Sequence, residues 1–184
     1  MKINNKSQTI ASIKKSSRNI YGIMSGIFAL TIIAAICLFV AVIIISYGNS
    51  MTDLYTGDFH ITYNNNSPAH VGNATSFCIG GVIETIVLSA IIASAAKMFL
   101  TISRNGLPFT EKTVSYIRRI SVLCLINALL PSLSITIADI IFNTADHFTF
   151  NIDFGYVAVF LILAAVGKIV SYGAMLQQES DETL

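Results

Sequence analysis

Residues 21–47 read YGIMSGIFALTIIAAICLFVAVIIISY and contain no charged side chain. A helix needs roughly 20 apolar residues to cross the hydrocarbon core of a bilayer, and this run exceeds that length. The apolar core of a cleavable signal peptide is much shorter, at about 7–15 residues. The run therefore predicts a first membrane-spanning helix that is retained in the chain.

Three further apolar runs have the length of a membrane span. They cover residues 77–98, approximately 120–142 and approximately 152–169. Only 11% of the chain is charged and 54% is hydrophobic, whereas a soluble domain has about 25% charged residues. Because lipid cannot satisfy backbone polar groups, each run should be helical. The sequence predicts an all-α integral membrane protein with four transmembrane helices in an antiparallel bundle.

The whole chain, residues 1–184, is expected to form a single membrane domain. The predicted segments are a cytosolic or interfacial lead at 1–20, helices at 21–47, 77–103, 111–142 and 152–176, outer loops at 48–76 and 143–151, an inner turn at 104–110 and a cytosolic tail at 177–184. Isoleucines among basic residues make the lead either an interfacial helix on anionic lipid or a partly disordered segment. In the first outer loop, residues 58–63 alternate, residues 64–68 suit a turn, and residues 69–72 suit a return strand, a pattern compatible with a small β-hairpin.

The Lys and Arg residues predict how the helices are oriented. Of the eleven, five precede the first span, five surround the inner turn, and Lys168 lies at the inner end of the fourth span. The two predicted outer loops contain none. The positive-inside rule therefore predicts that both termini are cytoplasmic.

Small residues and a proline indicate where helices pack or bend. Gly22 and Gly26 form a GxxxG motif, which allows close helix approach and is interpreted as packing inside the bundle rather than dedicated dimerisation. Gly80 and Gly81 would let another backbone or water come close. Pro131 predicts a kink in the third helix, because proline removes one backbone hydrogen bond and crowds the preceding turn.

Glu84 lies deep in the second apolar run, in the part predicted to be the outer half of the membrane. No cation is predicted in the outer half of any span. We therefore expect Glu84 to face the bundle or a wet outer vestibule, either as a structural polar contact or as a group linked to an ion or ligand. Asn127 and Asp139 on the third helix complete the candidate intramembrane polar site.

The inner turn contains the sequence GLPFT at residues 106–110. Gly106 suits a left-handed helix cap, and Pro108 stops the helix from continuing. Thr110 suits the N-cap of the next helix. The acidic tail is either a solvated stub or a set of carboxylates that pair with inner-turn cations or with a basic cytosolic partner. The candidate docking residues are Gly106, Pro108, Phe109, Thr110, Arg118, Arg119, Glu179, Asp181 and Glu182.

GLPFT followed by a basic amphipathic helix start, together with YGAMLQQESDETL at residues 172–184, resembles a prokaryotic membrane-protein family. The family is catalogued as domain of unknown function twenty-nine seventy-five. The resemblance implies a four-helix plasma-membrane protein. Genes of this family often lie beside a small helix-turn-helix repressor of the Cro type, which implies a cytosolic regulator as partner. The resemblance brings no catalytic residues.

Motifs for catalysis are absent from the sequence: it has no nucleotide-binding glycine loop, zincin helix or nucleophile elbow. The three histidines, His60, His70 and His147, are predicted on the outer side with spacing that matches no compact metal motif. We therefore predict a non-enzyme that has no cofactor or metal and does not bind nucleic acid directly.

Three functional classes fit these features. The first is a membrane modulator or anchor that engages a cytosolic regulator. The second is a small transporter or channel subunit that forms a homo-oligomer. The third is an immunity or envelope-stress protein that acts through the outer loop at 48–76. In every class the lipid bilayer is a partner.

Overall fold

A computed structural model of the chain describes the backbone of residues 2–47, 54–56, 59–61, 68–141 and 151–182, and the side chains of residues 8–44, 76–141 and 151–179. The helices are α1 (Lys2–Tyr47), α2 (Pro68–Asn105), α3 (Glu111–Ile141) and α4 (Phe154–Glu182). Between α1 and α2 lie two short strands, β1 (Leu54–Thr56) and β2 (Phe59–Ile61), which pair antiparallel with Tyr55 opposite His60.

Three predicted boundaries are wrong because helices extend past their apolar runs. α1 includes residues 2–20, so the lead is helical and continuous with the first span. α2 begins at Pro68, so the predicted return strand at 69–72 is helical. α4 runs to Glu182, so most of the predicted tail is helical. A helix makes its backbone hydrogen bonds internally and can therefore continue from the membrane into water. Proline is favoured at the first position of a helix, which explains why α2 begins at Pro68.

The surface of the helices is apolar, and most of the buried residues are small. The described helices contain four segments able to cross a membrane, at Gln8–Ile44, Ser76–Asn105, Glu111–Ile141 and Phe154–Glu179. Large side chains such as Leu30, 65% exposed, and Ile141, 72% exposed, lie outside, whereas Ala96 and Ala128 are buried. Lipid gives apolar side chains no reason to turn inward, so small residues occupy the interfaces instead. The prediction of four apolar helices long enough to cross a membrane is confirmed.

The four helices form an open row. α1 packs on α2, α2 on α3 and α3 on α4, and the described parts of α1 and α4 share no substantial contact. Between α1 and α2 the Ser89 hydroxyl donates to the Thr31 hydroxyl at 3.1 Å. Between α3 and α4 the Ser121 hydroxyl donates to the Phe160 carbonyl at 3.1 Å. A closed bundle would bring α4 back onto α1, whereas in the described residues α1 and α4 lie at the two ends of the row.

Consecutive helices run in opposite directions. This follows from their contacts, in which an early residue of one helix meets a late residue of the next. We use inner end for the end that carries the α2–α3 turn and outer end for the opposite end. The pairs that establish these directions are Leu38 with Gly81 and Lys14 with Gly106 for α1 and α2, and Ser132 with Asn151 and Ile117 with Gly167 for α3 and α4.

Gly80 and Gly81 of α2 lie at close contacts with neighbouring helices. A Cβ atom at Gly80 would overlap the side chain of Ile135 on α3, 2.7 Å from Cδ1, and would lie 3.5 Å from the Pro131 carbonyl oxygen. A Cβ atom at Gly81 would lie 3.6 Å from Leu38 of α1. These adjacent glycines therefore face the two neighbours of α2.

Gly22 and Gly26 lie on an open face of α1. Both are exposed, and a Cβ atom at either would meet nothing within 4 Å among the described residues. The prediction that this GxxxG motif packs inside the bundle is wrong. The face of α1 that meets α2 carries Thr31 and Leu38 instead, because the spacing of two glycines does not determine which way their face turns.

Pro131 lies inside α3, which is helical from Glu111 to Ile141. The Ser134 hydroxyl donates to the Pro131 carbonyl at 2.6 Å, and the Thr136 hydroxyl donates to the Ser132 carbonyl at 2.9 Å. Proline has no N–H group to donate to the preceding turn. The two hydroxyl groups add side-chain hydrogen bonds to backbone carbonyls in the turn that follows. The helix is not interrupted at Pro131, and a kink there stays a prediction.

Gly80→Ala should lower the free energy of unfolding by about 1–3 kcal/mol, because the added methyl group displaces the stiff, β-branched Ile135 in a tight interface. Gly26→Ala is the matched control, and it should raise that free energy by about 0.5–1 kcal/mol, because alanine favours the helix and meets open space. Thermal and denaturant unfolding of both variants in detergent micelles would measure the difference. Equal effects at the two positions would contradict the assignment of Gly80 to the α2–α3 contact.

Candidate functional site

Glu84 and Asn127 lie at the same level of the α2–α3 interface. Glu84 follows Gly80 by one turn and therefore shares its face, and Asn127 precedes Pro131 by one turn on α3. Because Gly80 packs against the carbonyl of Pro131, the antiparallel helices bring Glu84 and Asn127 to one depth. The two candidates were predicted in separate helices, and the register of α2 on α3 aligns them.

The start of α4 is attached to α3 at this same level. One carboxylate oxygen of Asp153, Oδ1, accepts hydrogen bonds from the backbone N–H groups of Gly155 at 2.8 Å and Tyr156 at 3.4 Å. Asp153 thus caps the N-terminus of α4. The Asp153 N–H donates to the carbonyl of Ala128, the residue after Asn127, at 3.3 Å. The cap and this backbone bond hold the first turn of α4 beside the middle of α3.

Tyr156 connects the three helices electrostatically. Its hydroxyl approaches the Asn127 side chain, and it lies within electrostatic range of the carboxylates of Glu84 and Asp153. We call these four residues, Glu84, Asn127, Asp153 and Tyr156, the polar level. It combines one residue of α2, one of α3 and two at the start of α4.

Asn127 is the buried member of the polar level. It is 2% exposed, and neither Oδ1 nor Nδ2 makes a well-formed hydrogen bond with the described residues. An unsatisfied buried polar group costs about 1–3 kcal/mol. Packing alone therefore does not explain this amide, which beside the Tyr156 hydroxyl keeps hydrogen-bonding capacity for a water molecule or a ligand.

Glu84 is the exposed member, and it lies on the α4 side of α2. The charged group within its electrostatic range is Asp153, which has the same sign. Glu84 is exposed, and the described parts of α2 and α4 share no substantial contact. Carboxylate, amide and hydroxyl oxygens are hard donors that suit a proton or a hard cation. Among the described residues, no three His, Cys, Asp or Glu side chains are grouped to hold a metal ion.

Asp139 does not join the polar level. It follows Asn127 by twelve residues on α3, a distance of about 18 Å along the helix axis, and it is partly buried nearer the outer end. The prediction of a single site formed by Glu84, Asn127 and Asp139 is therefore wrong for Asp139. Sequence reasoning missed Asp153 and Tyr156, although an Asp directly before an apolar run is a recognisable N-cap signal.

The inner turn has the two helix caps that the sequence predicts. Gly106 has φ +72°, and its N–H donates to the Ile102 carbonyl at 2.7 Å, which ends α2 in a left-handed cap. The Thr110 hydroxyl accepts a hydrogen bond from the Thr113 N–H at 3.3 Å and starts α3. Both predictions are confirmed, and Pro108 lies between the caps.

Other helices hold this turn in place. A Cβ atom at Gly106 would lie 2.8 Å from Ile10 Cγ2 and 2.8 Å from Lys14 Cε, both on α1. The Phe109 ring packs against Gly173 of α4, where a Cβ atom would lie 3.0 Å from the ring carbon Cδ1. The turn is thus clamped between the first and last helices, which do not contact each other extensively.

A groove lies between the inner turn and the end of α4. This inner groove has a volume of about 570 Å³, and its lining includes Leu107, Phe109, Glu111, Met175 and Gln177. Leu107 is 40% exposed and Phe109 is 44% exposed. Large apolar side chains are thus presented at the inner end of the helices.

The predicted docking residues do not form one surface. Arg118 lines a groove between α3 and α4 with Lys168, whereas Arg119 lines a different groove with Arg104 and Lys112. Glu179 is exposed near the end of α4. Asp181 and Glu182 lie in the last turn of that helix, and their side chains are outside the described residues.

A sequence model of a protein family, described as "Protein of unknown function (DUF2975)", matches residues 48–184. The chain belongs to this family. The DUF2975 region contains both strands, α2, α3 and α4, and therefore both the polar level and the inner turn. It also contains GLPFT and the C-terminal stretch, so the predicted resemblance is confirmed. Neither the curated proteins nor the solved structures include a match to the chain.

Asn127→Leu should raise the free energy of unfolding by about 1–3 kcal/mol, because leucine has the same branched shape without polar atoms that lack partners. Ser134→Ala is the control, since the Ser134 hydroxyl is hydrogen-bonded, and its loss should lower stability by about 1 kcal/mol. Denaturant unfolding in micelles would measure both. A loss of stability in Asn127→Leu would mean that the amide is hydrogen-bonded in the folded protein, to the Tyr156 hydroxyl, a water molecule or a ligand.

Proposed function

We propose that this chain is a non-enzymatic, multi-pass plasma-membrane protein that anchors or modulates a cytosolic regulator of the helix-turn-helix type. Both termini lie in the cytoplasm, and the regulator binds at the inner end. The observation that carries this proposal is the inner groove, which presents Leu107 and Phe109 on a clamped turn.

The charge distribution supports the orientation. All Lys and Arg residues precede the first span or lie near the inner ends of the others. Positively charged residues are retained on the cytoplasmic side of a membrane. The inner groove then faces the cytosol, where a soluble partner can reach it.

The construction of the turn supports a docking role. Binding costs less conformational entropy when the surface is already ordered, and Gly106 and Phe109 are held by α1 and α4. An amphipathic helix binds by placing apolar side chains in such a groove. Glu111 and Gln177 at its edge add polar contacts for a basic regulator.

Site-specific photocross-linking in cells of the source organism tests the docking site. A photoreactive phenylalanine analogue at position 107 should cross-link a small DNA-binding protein, identified by mass spectrometry. The same analogue at position 105, which lies outside the inner groove, should give at least tenfold less product. Met175→Glu should abolish the product at 107, because it puts a charge in the groove.

The control for Met175→Glu is Ser115→Glu, an exposed change at the inner end that lies outside the inner groove. It should leave the cross-link unchanged. Equal cross-linking at 105 and 107, or a product at 107 that contains no DNA-binding protein, would contradict the proposed partner and site.

The polar level favours a second candidate function, a small transporter or channel subunit. The supporting observation is the buried Asn127 amide, which makes no well-formed hydrogen bond with the described residues and lies beside the Tyr156 hydroxyl, near two carboxylates. In this function Glu84 and Asn127 hold a proton or sodium ion during transport. The exposed glycine face of α1 then provides a contact surface for a second copy in a homo-oligomer.

Ion flux into proteoliposomes tests this candidate. Wild-type protein should carry protons or sodium ions down an imposed gradient, and Glu84→Gln should reduce the rate at least tenfold, because it removes the ionisable group. Asp139→Asn, about 18 Å away along the helices, should leave the rate within twofold. A wild-type protein without flux, or equal losses in both variants, would exclude this role for the polar level.

The third functional class, peptide binding through the first outer loop, rests on residues 48–76. Apart from the two strands and the start of α2, this loop lies outside the described residues, as do the side chains of His60, His70 and His147. It stays a prediction.

A further inference from the structure

A groove between α3 and α4 combines charge at one end with apolar residues at the other. This interfacial groove has a volume of about 540 Å³. Arg118 and Lys168 line it towards the inner end, and Val122, Phe160 and Leu163 line the remainder. All three apolar residues belong to candidate membrane spans.

The register of the two helices orders these residues by depth. Ile117 lies beside Gly167, so the next residue on each helix, Arg118 or Lys168, falls at nearly the same level. Val122 is four residues further towards the outer end, about 6 Å, and Phe160 is eight residues from Lys168, about 12 Å. The cations therefore lie at headgroup depth when the apolar part lies in the hydrocarbon core.

The polar lining of the groove is complementary to an anionic group. Among the described residues that line it, no Asp or Glu occurs, whereas Ser171 and Tyr172 add exposed hydroxyl groups beside the cations. Arg and Lys bind phosphate through charge-assisted hydrogen bonds. Basic pockets between transmembrane helices are a known setting for anionic lipid headgroups.

We infer that the interfacial groove binds one anionic phospholipid, with its phosphate between Arg118 and Lys168 and an acyl chain along Val122, Phe160 and Leu163. The proposal is independent of the cytosolic partner, because it requires only that the helices lie in a membrane.

Each of the other two grooves at the inner end lacks either the cations or the aliphatic lining that a phospholipid needs. The inner groove has no Lys or Arg among its described lining residues. The groove of Arg104, Lys112 and Arg119 is otherwise lined by Thr101, Asn105, Ser115 and Tyr116, without an aliphatic side chain to receive an acyl chain. The interfacial groove alone among these three described grooves accommodates both parts of a phospholipid.

Native mass spectrometry of the full-length protein in detergent tests this inference. Titration with dioleoyl phosphatidylglycerol should give a first bound lipid at least tenfold tighter than dioleoyl phosphatidylcholine. The double variant Arg118→Gln, Lys168→Gln should weaken phosphatidylglycerol binding about thirtyfold, as expected for loss of two cations near a phosphate.

The matched control is the double variant Lys112→Gln, Arg119→Gln, which removes the same charge from the other side of α3 and should change the affinity less than threefold. Arg118→Lys with Lys168→Arg preserves both charges and should stay within about threefold of wild type. All these side chains are exposed, so thermal unfolding of each variant should match wild type.

Three results would overturn the inference. Equal weakening in the two Gln pairs would indicate a diffuse basic surface. Equal affinity of the wild type for the two lipids would remove the headgroup site. Displacement of phosphatidylglycerol by millimolar glycerol phosphate would indicate a site for a free phosphate compound instead of a lipid.

Discussion

The close contact between α2 and α3 at Gly80 sets the positions of the other functional elements. Burial of apolar surface drives soluble proteins together, but lipid is itself apolar, so helices in a membrane depend on close packing between small residues. Gly80 has no side chain, and Ile135 and Pro131 occupy the space that a Cβ atom would need. One turn away on each helix, the same register places Glu84 and Asn127 at one depth.

α4 is added to this central pair by polar contacts. The Asp153 N–H binds the Ala128 carbonyl, and the Ser121 hydroxyl binds the Phe160 carbonyl. Such contacts work in an apolar surrounding, where a polar group without a partner is costly. They leave α1 and α4 on opposite sides of the row. In this row the side chain of Glu84 is exposed.

The polar level and the inner end of the helices have different chemistry. The polar level, beside the middle of α3, has two carboxylates, an amide and a hydroxyl, and no cation among the described residues belongs to it. The inner end has a clamped turn, exposed apolar side chains and most of the basic residues. Cation handling suits the first environment, whereas contacts with anionic lipid and a cytosolic protein suit the second. These roles are compatible, because the polar level lies about 14 Å along α3 from the cations of the inner end, the spacing of Asn127 and Arg118.

The four apolar spans, the charge asymmetry and the two caps at Gly106 and Thr110 could be predicted from the amino-acid sequence alone. These features depend on single residues, on their neighbours or on the length of a run. The contacts between helices were needed to show that Gly80 packs while Gly22 and Gly26 do not. They were also needed to show that Asp153 and Tyr156 join Glu84 and that Asp139 does not. The physical reason is that lipid accepts an apolar helix in any rotation about its axis, so hydrophobic pattern alone leaves rotation and register open. Direct contacts such as Gly80 with Ile135 and Asp153 with Ala128 establish them.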